Sequence, residues 1–111
     1  MLRNWFPKPR WKTYAAQSGY VYQYVFQGLR GDDTYVFRAV GGPAIELTLE
    51  VVIDAKALEP WVLQNRSLTE IECYGVAKLA LQRALDEDSA PKTTIRPTSS
   101  EVEAICRELD L

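Results

Sequence analysis

Aromatic and non-aromatic residues alternate along the segment SGYVYQYVFQG, residues 18–28. In an extended chain this alternation places four rings on one side: Tyr20, Tyr22, Tyr24 and Phe26. Aromatic and β-branched residues fit a pleated, half-buried surface, so the segment predicts a strand. The same period of two predicts three further strands, separated by turn-forming residues: WKTYAA, TYVFRAV and AIELTLEVVI. The first half of the chain therefore predicts a four-stranded antiparallel meander.

The period of the apolar positions changes after residue 53, and the second half of the chain predicts helices. Asp54 is expected to cap a short helix over residues 55–64, which Pro60 should bend or interrupt. The segment DSAPKTTIRPTSS predicts a connection, in which residues 93–96 can extend along a sheet edge.

Two longer helical patterns have a Ser followed three residues later by a Glu, the spacing of a capping box. The predicted pairs are Ser67 with Glu70 and Ser100 with Glu103. The first of these helices places on one face Cys73, Tyr74, Ala77, Ala80, Leu81, Ala84 and Leu85.

Together these elements predict an α+β fold, an antiparallel sheet of about four strands with two or three helices packed on one face. A chain of 111 residues is long enough to bury a core without disulfides. We expect a basic, aromatic N-terminal arm over residues 1–12 and a single α+β domain over residues 13–111. Because no apolar run has the length of a membrane span or a signal peptide, the expected location is cytoplasmic, with no membrane partner.

The charge is unevenly distributed although the net charge is only −2. Residues 1–12 carry four basic side chains and no acidic one, whereas residues 86–111 carry three basic and seven acidic ones. The arm makes nucleic-acid binding the alternative function. The acidic remainder should repel a polyanion, so we expect no nucleic-acid partner at physiological salt.

Catalytic and metal-binding patterns are weak. The chain contains no His, which excludes a His proton shuttle and a His-ligated metal. Cys73 and Cys106 lack the paired spacing of a metal site, and we expect free thiols, no metal and no cofactor. Glu46 and Glu50 share one face of a strand, which is more typical of a solvated face than of a carboxylate site. An enzymatic role therefore ranks third.

The row of rings allows two main interpretations. The favoured one is core, because the predicted helices need a sheet face to cover. Buried Tyr hydroxyls need hydrogen-bond partners, however, and a cleft at one end of the face would supply them with water or ligand. The alternative is a pocket for a small apolar or aromatic ligand, lined by Tyr20, Tyr22, Tyr24 and Tyr35. Base stacking ranks below both, because few basic residues surround the face.

Self-association is predicted from apolar surface beyond that which the core requires. On the main helix Val76 and Leu79 form a minor stripe, and the arm adds Trp5, Phe6 and Trp11. We expect a homodimer that uses either the helix stripe or the arm.

Three segments in combination resemble a small uncharacterised bacterial family: YAAQSGYVYQYVFQG, TYVFRAV and ALEPWVLQNRSLTEIECYGVAKLALQRALDED. The resemblance covers residues 13–88 and implies a shared small α+β domain, without any activity or functional residue to transfer. From the sequence as a whole we expect a non-enzymatic homo-oligomeric interaction or small-ligand-binding protein.

Overall fold

The computed structural model describes residues 10–42, 44–87 and 93–111. Its strands are β1 (Lys12–Ala15), β2 (Val21–Arg30), β3 (Thr34–Gly41), β4 (Ala44–Val52) and β5 (Thr94–Ile95). Its helices are α1 (Ala55–Gln64), α2 (Glu70–Leu85) and α3 (Ser99–Glu108). None of these helices has the length and apolar character that crossing a bilayer requires.

The five strands form one open sheet in the order β1-β2-β3-β4-β5. Strands β1 to β4 are antiparallel neighbours, which confirms the predicted meander. The expectation of four strands is corrected by β5, which pairs with β4 in the parallel direction. Helices α1 and α2 lie between β4 and β5 in the chain. They return the chain to the end of the sheet at which β4 begins, as a parallel connection requires.

A β-bulge in β2 decides which side chains face the core after Phe26. The register shifts between Phe26 and Gly28, so that Phe26 lies opposite Phe37, whereas Leu29 lies opposite Tyr35. The extra residue reverses the alternation of core-facing and outward-facing side chains. Leu29 is therefore buried in the core, at the position that the regular period would have given to Gly28. Gly28 has a φ of 143°, a conformation that residues with a side chain rarely adopt.

Helix α1 begins where the sequence predicts, because the Asp54 side chain accepts a hydrogen bond from the Ala57 backbone N–H at 2.8 Å. The helix continues through Pro60, which does not interrupt it. A proline removes its own N–H from the helix ladder, but Ala57 and Trp61 on either side of Pro60 are buried in the core. Tertiary packing therefore holds the helix together across this position.

Helices α2 and α3 both begin with a capping box, but not with the predicted ones. The observed pairs are Thr69 with Glu72 and Thr98 with Glu101, in place of Ser67 with Glu70 and Ser100 with Glu103. Predicted and observed pairs have the same spacing, so the spacing alone cannot distinguish them. Packing distinguishes the two pairs. Leu68 packs against the core before α2 begins, and α3 begins directly after the buried Pro97.

The core lies between the helices and one face of the sheet. The ring centroid of Phe26 lies 5.3 Å from that of Phe37 on β3 and 4.9 Å from that of Tyr74 on α2. Tyr22 and Tyr24 belong to the same cluster of buried side chains. Three of the four rings in the row, Tyr22, Tyr24 and Phe26, are therefore core, as the favoured interpretation expects, whereas Tyr20 stays partly exposed. Their burial stabilises the fold by removing large apolar rings from water.

Candidate functional site

The four tyrosines that the sequence offers as pocket residues differ in how deeply they are buried. Tyr22, Tyr24 and Tyr35 are buried in the core, where their rings have almost no accessible surface. Tyr20 is 39% exposed and meets Tyr22 edge to face, with ring centroids 6.4 Å apart. The burial of Tyr22, Tyr24 and Tyr35 favours core over a pocket for an apolar or aromatic ligand along this row.

The hydroxyl groups of the buried tyrosines are satisfied unequally. The Tyr24 hydroxyl accepts a hydrogen bond from Gln82 Nε2 at 3.1 Å. The Tyr22 hydroxyl is buried and has no hydrogen-bond partner among the described residues. Burial raises the pKa of both phenols, so both remain protonated at neutral pH. Tyr24 thereby connects the core to a polar side chain at its margin.

The predicted self-association residues are separated by the fold. Val76 is fully buried, so its assignment to an exposed helix stripe is wrong, and Leu79 packs at the margin of the same core. Trp11 is 49% exposed, and Trp5 and Phe6 lie outside the described residues. Helical spacing could not show the burial of Val76, because α2 contacts both the sheet and α3 and so buries a wider face than one neighbour requires.

A polar cleft, which we call the β1–α2 cleft, lies between the end of β1, one side of α2 and the C-terminal end of α3. Its volume is about 400 Å³, within the range of small-molecule sites. Strand β1 and the turn that follows contribute Tyr14 and Gln17, and α3 contributes Glu108. The α2 wall consists of Leu79, Gln82, Arg83 and Asp86.

Hydrogen bonds to Asp86 join the two walls of this cleft. The Tyr14 hydroxyl donates to Asp86 Oδ1 at 2.7 Å, and the backbone N–H of Gln17 donates to the same oxygen at 2.9 Å. On the far side Arg83 and Glu108 form an ion pair at 3.0 Å. Gln82, which holds the Tyr24 hydroxyl, completes the wall. The cleft therefore combines fixed polar groups with a direct link to the core.

The electrostatic setting of the cleft is visible at Tyr14. Burial raises the pKa of Tyr14 to about 12, with further contributions from the hydrogen bond to Asp86 and from the negative charges of Asp86 and Glu108. All these causes favour the protonated phenol. Tyr14 is therefore a hydrogen-bond donor at neutral pH, and the cleft around it has negative character.

In the sequence Tyr14 is not a site candidate, and Asp86 is only a weak one, as part of a carboxylate group with Glu87 and Asp88. Tyr14 lies in a short strand pattern, and Asp86 belongs to an acidic group at a helix end. The position of Asp86 is itself an indication, because the helix dipole disfavours a carboxylate at a helix C-terminus unless other groups stabilise it. In the structure Asp86 is the C-cap of α2 and accepts two hydrogen bonds from outside the helix, which offset that cost.

The other candidate groups have structural partners. Glu46 pairs with Arg38 and Glu50 pairs with Arg30, so both acids belong to ion pairs across strands. Within the described parts of the chain, no group of three potential metal ligands occurs. Cys73 and Cys106 are free thiols whose pKa values are raised by burial, which makes them poor nucleophiles.

A second groove of about 350 Å³ lies between α1 and the start of α2. Its wall is largely apolar and includes Leu58, Val62 and Leu68. It has no converging set of hydrogen-bonded polar groups comparable to the one around Asp86. The β1–α2 cleft is therefore the better candidate for specific recognition.

Comparison with protein-family models, with curated proteins and with solved structures finds no match for this chain. The resemblance to an uncharacterised bacterial family therefore stays an expectation from the sequence. The function must be argued from the site itself.

Proposed function

We propose that this chain is a non-enzymatic binding protein that holds a small polar ligand in the β1–α2 cleft. The observation that carries the proposal is the bond between Tyr14 and Asp86, which lie 72 residues apart and meet at 2.7 Å on the wall of the cleft. A fixed, hydrogen-bonded carboxylate beside a cavity of ligand size is a typical recognition element.

The charges of the lining favour a ligand with an amine or ammonium group. Arg83, the one cation among the described residues of the lining, is already paired with Glu108. Asp86 is held by a phenol and a backbone N–H, neither of which neutralises its charge. A cationic N–H donor would supply the missing charge and bind to the carboxylate through a charge-assisted hydrogen bond.

The protonation state of Tyr14 favours binding over catalysis. A general base works best with a pKa near the operating pH, whereas the pKa of Tyr14 is about 12. The phenol therefore keeps its proton at neutral pH and orients Asp86. We include a cytoplasmic location in the proposal, in keeping with the free thiols of Cys73 and Cys106.

A titration of the full chain with matched small amines and carboxylates, followed by NMR of the backbone amides, tests this function. We expect amines to shift the resonances of Gln17 and of the end of α2, and carboxylates to have no effect. Asp86→Asn keeps an oxygen that accepts from Tyr14 but removes the charge, and should weaken amine binding about tenfold or more.

Glu87→Gln is the matched control, because it removes an equal charge from the adjacent residue, which does not line the cleft. Its amine affinity should equal that of the unmodified chain. Equal amine binding by Asp86→Asn, or the absence of any amine-induced shift at the cleft, would refute the proposal.

A further inference from the structure

Among the described residues, one part of the sheet face opposite the helices is partly exposed. The β2–β3–β4 register places Val25, Arg38 and Thr48 in one row on this face, and Gln23, Val40 and Glu46 in the next. Beside these rows Val21 is 57% exposed and Trp11 is 49% exposed. We call this surface the outer patch, and its members are Trp11, Val21, Val25, Arg38, Val40 and Glu46.

The other half of the same face is covered by its own charged side chains. Arg30 on β2 bonds to Glu50 on β4 at 2.5 Å, so the pair crosses the intervening strand β3. Val36 lies on β3 directly opposite Glu50 and is buried, although it is not part of the helix-side core. Val36 is thus buried under its own sheet's side chains, whereas in the outer patch Val25 and Val40 are half-buried and Val21 is exposed.

We propose that the outer patch is the contact surface of a homodimer, with a second copy of this chain packed on it about a two-fold axis. A two-fold interface brings the same surface of both protomers together, so the surface must be complementary to itself. Arg38 and Glu46 meet this condition, because they are adjacent and oppositely charged. A rotation about an axis between them sets Arg38 of one protomer against Glu46 of its partner, and the reverse.

The surrounding residues suit the same partner. Trp11 lies against Arg38, with the guanidinium carbon 6.0 Å from the ring centroid, and so presents a large ring beside the ion pair. Trp is among the residues that contribute most to protein interfaces. A polyanion fits less well, because the charge of Arg38 is balanced by Glu46 within the patch. This placement differs from the helix stripe, whose Val76 is buried.

Charge reversal tests the pairing directly. Light scattering on the full chain across the micromolar range should show a dimer for the unmodified protein. Arg38→Glu and Glu46→Arg should each weaken dimerisation about tenfold or more, because like charges then face each other. A mixture of these two single variants should form heterodimers, since all the facing charges are then opposite, and the double variant should dimerise with itself.

Three further measurements keep the test decisive. Circular dichroism should confirm that the variants are folded, since an exposed ion pair contributes little to stability. Trp11→Ala should weaken the dimer without altering any charge, while Leu63→Ser, at a 77% exposed position on α1, should not. A monomeric unmodified chain at every concentration, or single variants that dimerise as the unmodified chain does, would overturn the proposal.

Discussion

At the scale of single residues, Gly42 allows the chain to turn closely over the core. It has a φ of 64°, and a Cβ added there would lie 2.3 Å from Tyr22 Cε1 and 2.4 Å from Tyr22 Cζ. Such distances are far shorter than van der Waals contact, so a side chain would push the buried ring aside. The backbone conformation and the space above Tyr22 both require glycine at this position.

Gly42→Ala should therefore destabilise the protein by about 3 kcal/mol, as the sum of left-handed strain and overpacking. Gly31→Ala is the matched control, because Gly31 has a similar φ of 67° but open space around its Cβ position. We expect a loss of only about 1 kcal/mol from Gly31→Ala. Chemical denaturation of both variants measures the difference, and equal losses would contradict the close approach to Tyr22.

At the scale of elements, the start of α2 depends on a carboxylate that two partners hold. Arg66 donates two hydrogen bonds of 2.8 Å to Glu72, and the Thr69 backbone N–H donates a third. The bond to Arg66 and then that to Thr69 lower the pKa of Glu72 to about 2, from an ordinary value of 4.5. The charged carboxylate thus fixes both the preceding loop and the first turn.

Acid should weaken this arrangement in a defined pH window. Since the pKa is lower in the folded state, the stabilisation by Glu72 is complete above pH 4.5 and is lost as the pH falls towards 2. Glu72→Gln should lower stability at neutral pH and flatten the acid dependence between these values. Thr69→Ala, which removes the other half of the box, should cost about 1 kcal/mol.

Denaturation curves recorded between pH 2 and pH 7 check this prediction. Glu70→Gln serves as the control, because it removes a charge from the same turn without altering the capping box. If Glu72→Gln kept the acid dependence of the unmodified chain, the assignment of the acid-sensitive group would be wrong.

At the scale of the whole molecule, the bond between Tyr14 and Asp86 joins the first strand to the end of α2. It therefore links the edge of the sheet to the helical layer at the β1–α2 cleft. The pKa of Tyr14 is about 12 in the folded protein, against 10 for an ordinary tyrosine. The unfolded chain releases this proton at lower pH than the folded chain, so stability should fall as the pH rises from 10 to 12.

Tyr14→Phe should reduce the fall of the unfolding free energy with pH in this range by the equivalent of up to about one proton. At neutral pH it should cost about 1 kcal/mol of stability through the lost hydrogen bond. Asp86→Asn should reduce the slope in part, because it removes a negative charge that raises the pKa of Tyr14. Unfolding at a series of alkaline pH values provides the measurement. A slope that Tyr14→Phe leaves unchanged would show that this phenol does not contribute.

The sequence by itself determined the elements that depend on near neighbours in the chain. The alternation in residues 20–26 predicts the strand β2 and the burial of Tyr22, Tyr24 and Phe26, because a period of two is a property of the extended backbone. The bounds of α1 and its Asp54 cap follow in the same way from adjacent residues. The sequence also predicts an extended segment at a sheet edge over residues 93–96, where β5 lies beside β4.

Tertiary structure decided what depends on residues far apart. The bulge that buries Leu29 is defined by pairing with β3, and the choice between two capping boxes of equal spacing follows from packing. Val76 is buried in a helix that contacts both the sheet and α3, so its apolar face is wider than helical periodicity alone indicates. Tyr14 and Asp86 become neighbours only when β1 and the end of α2 meet. Local periodicity indicates which side of a helix or strand is apolar, whereas contacts between elements form only when distant parts of the chain come together on folding.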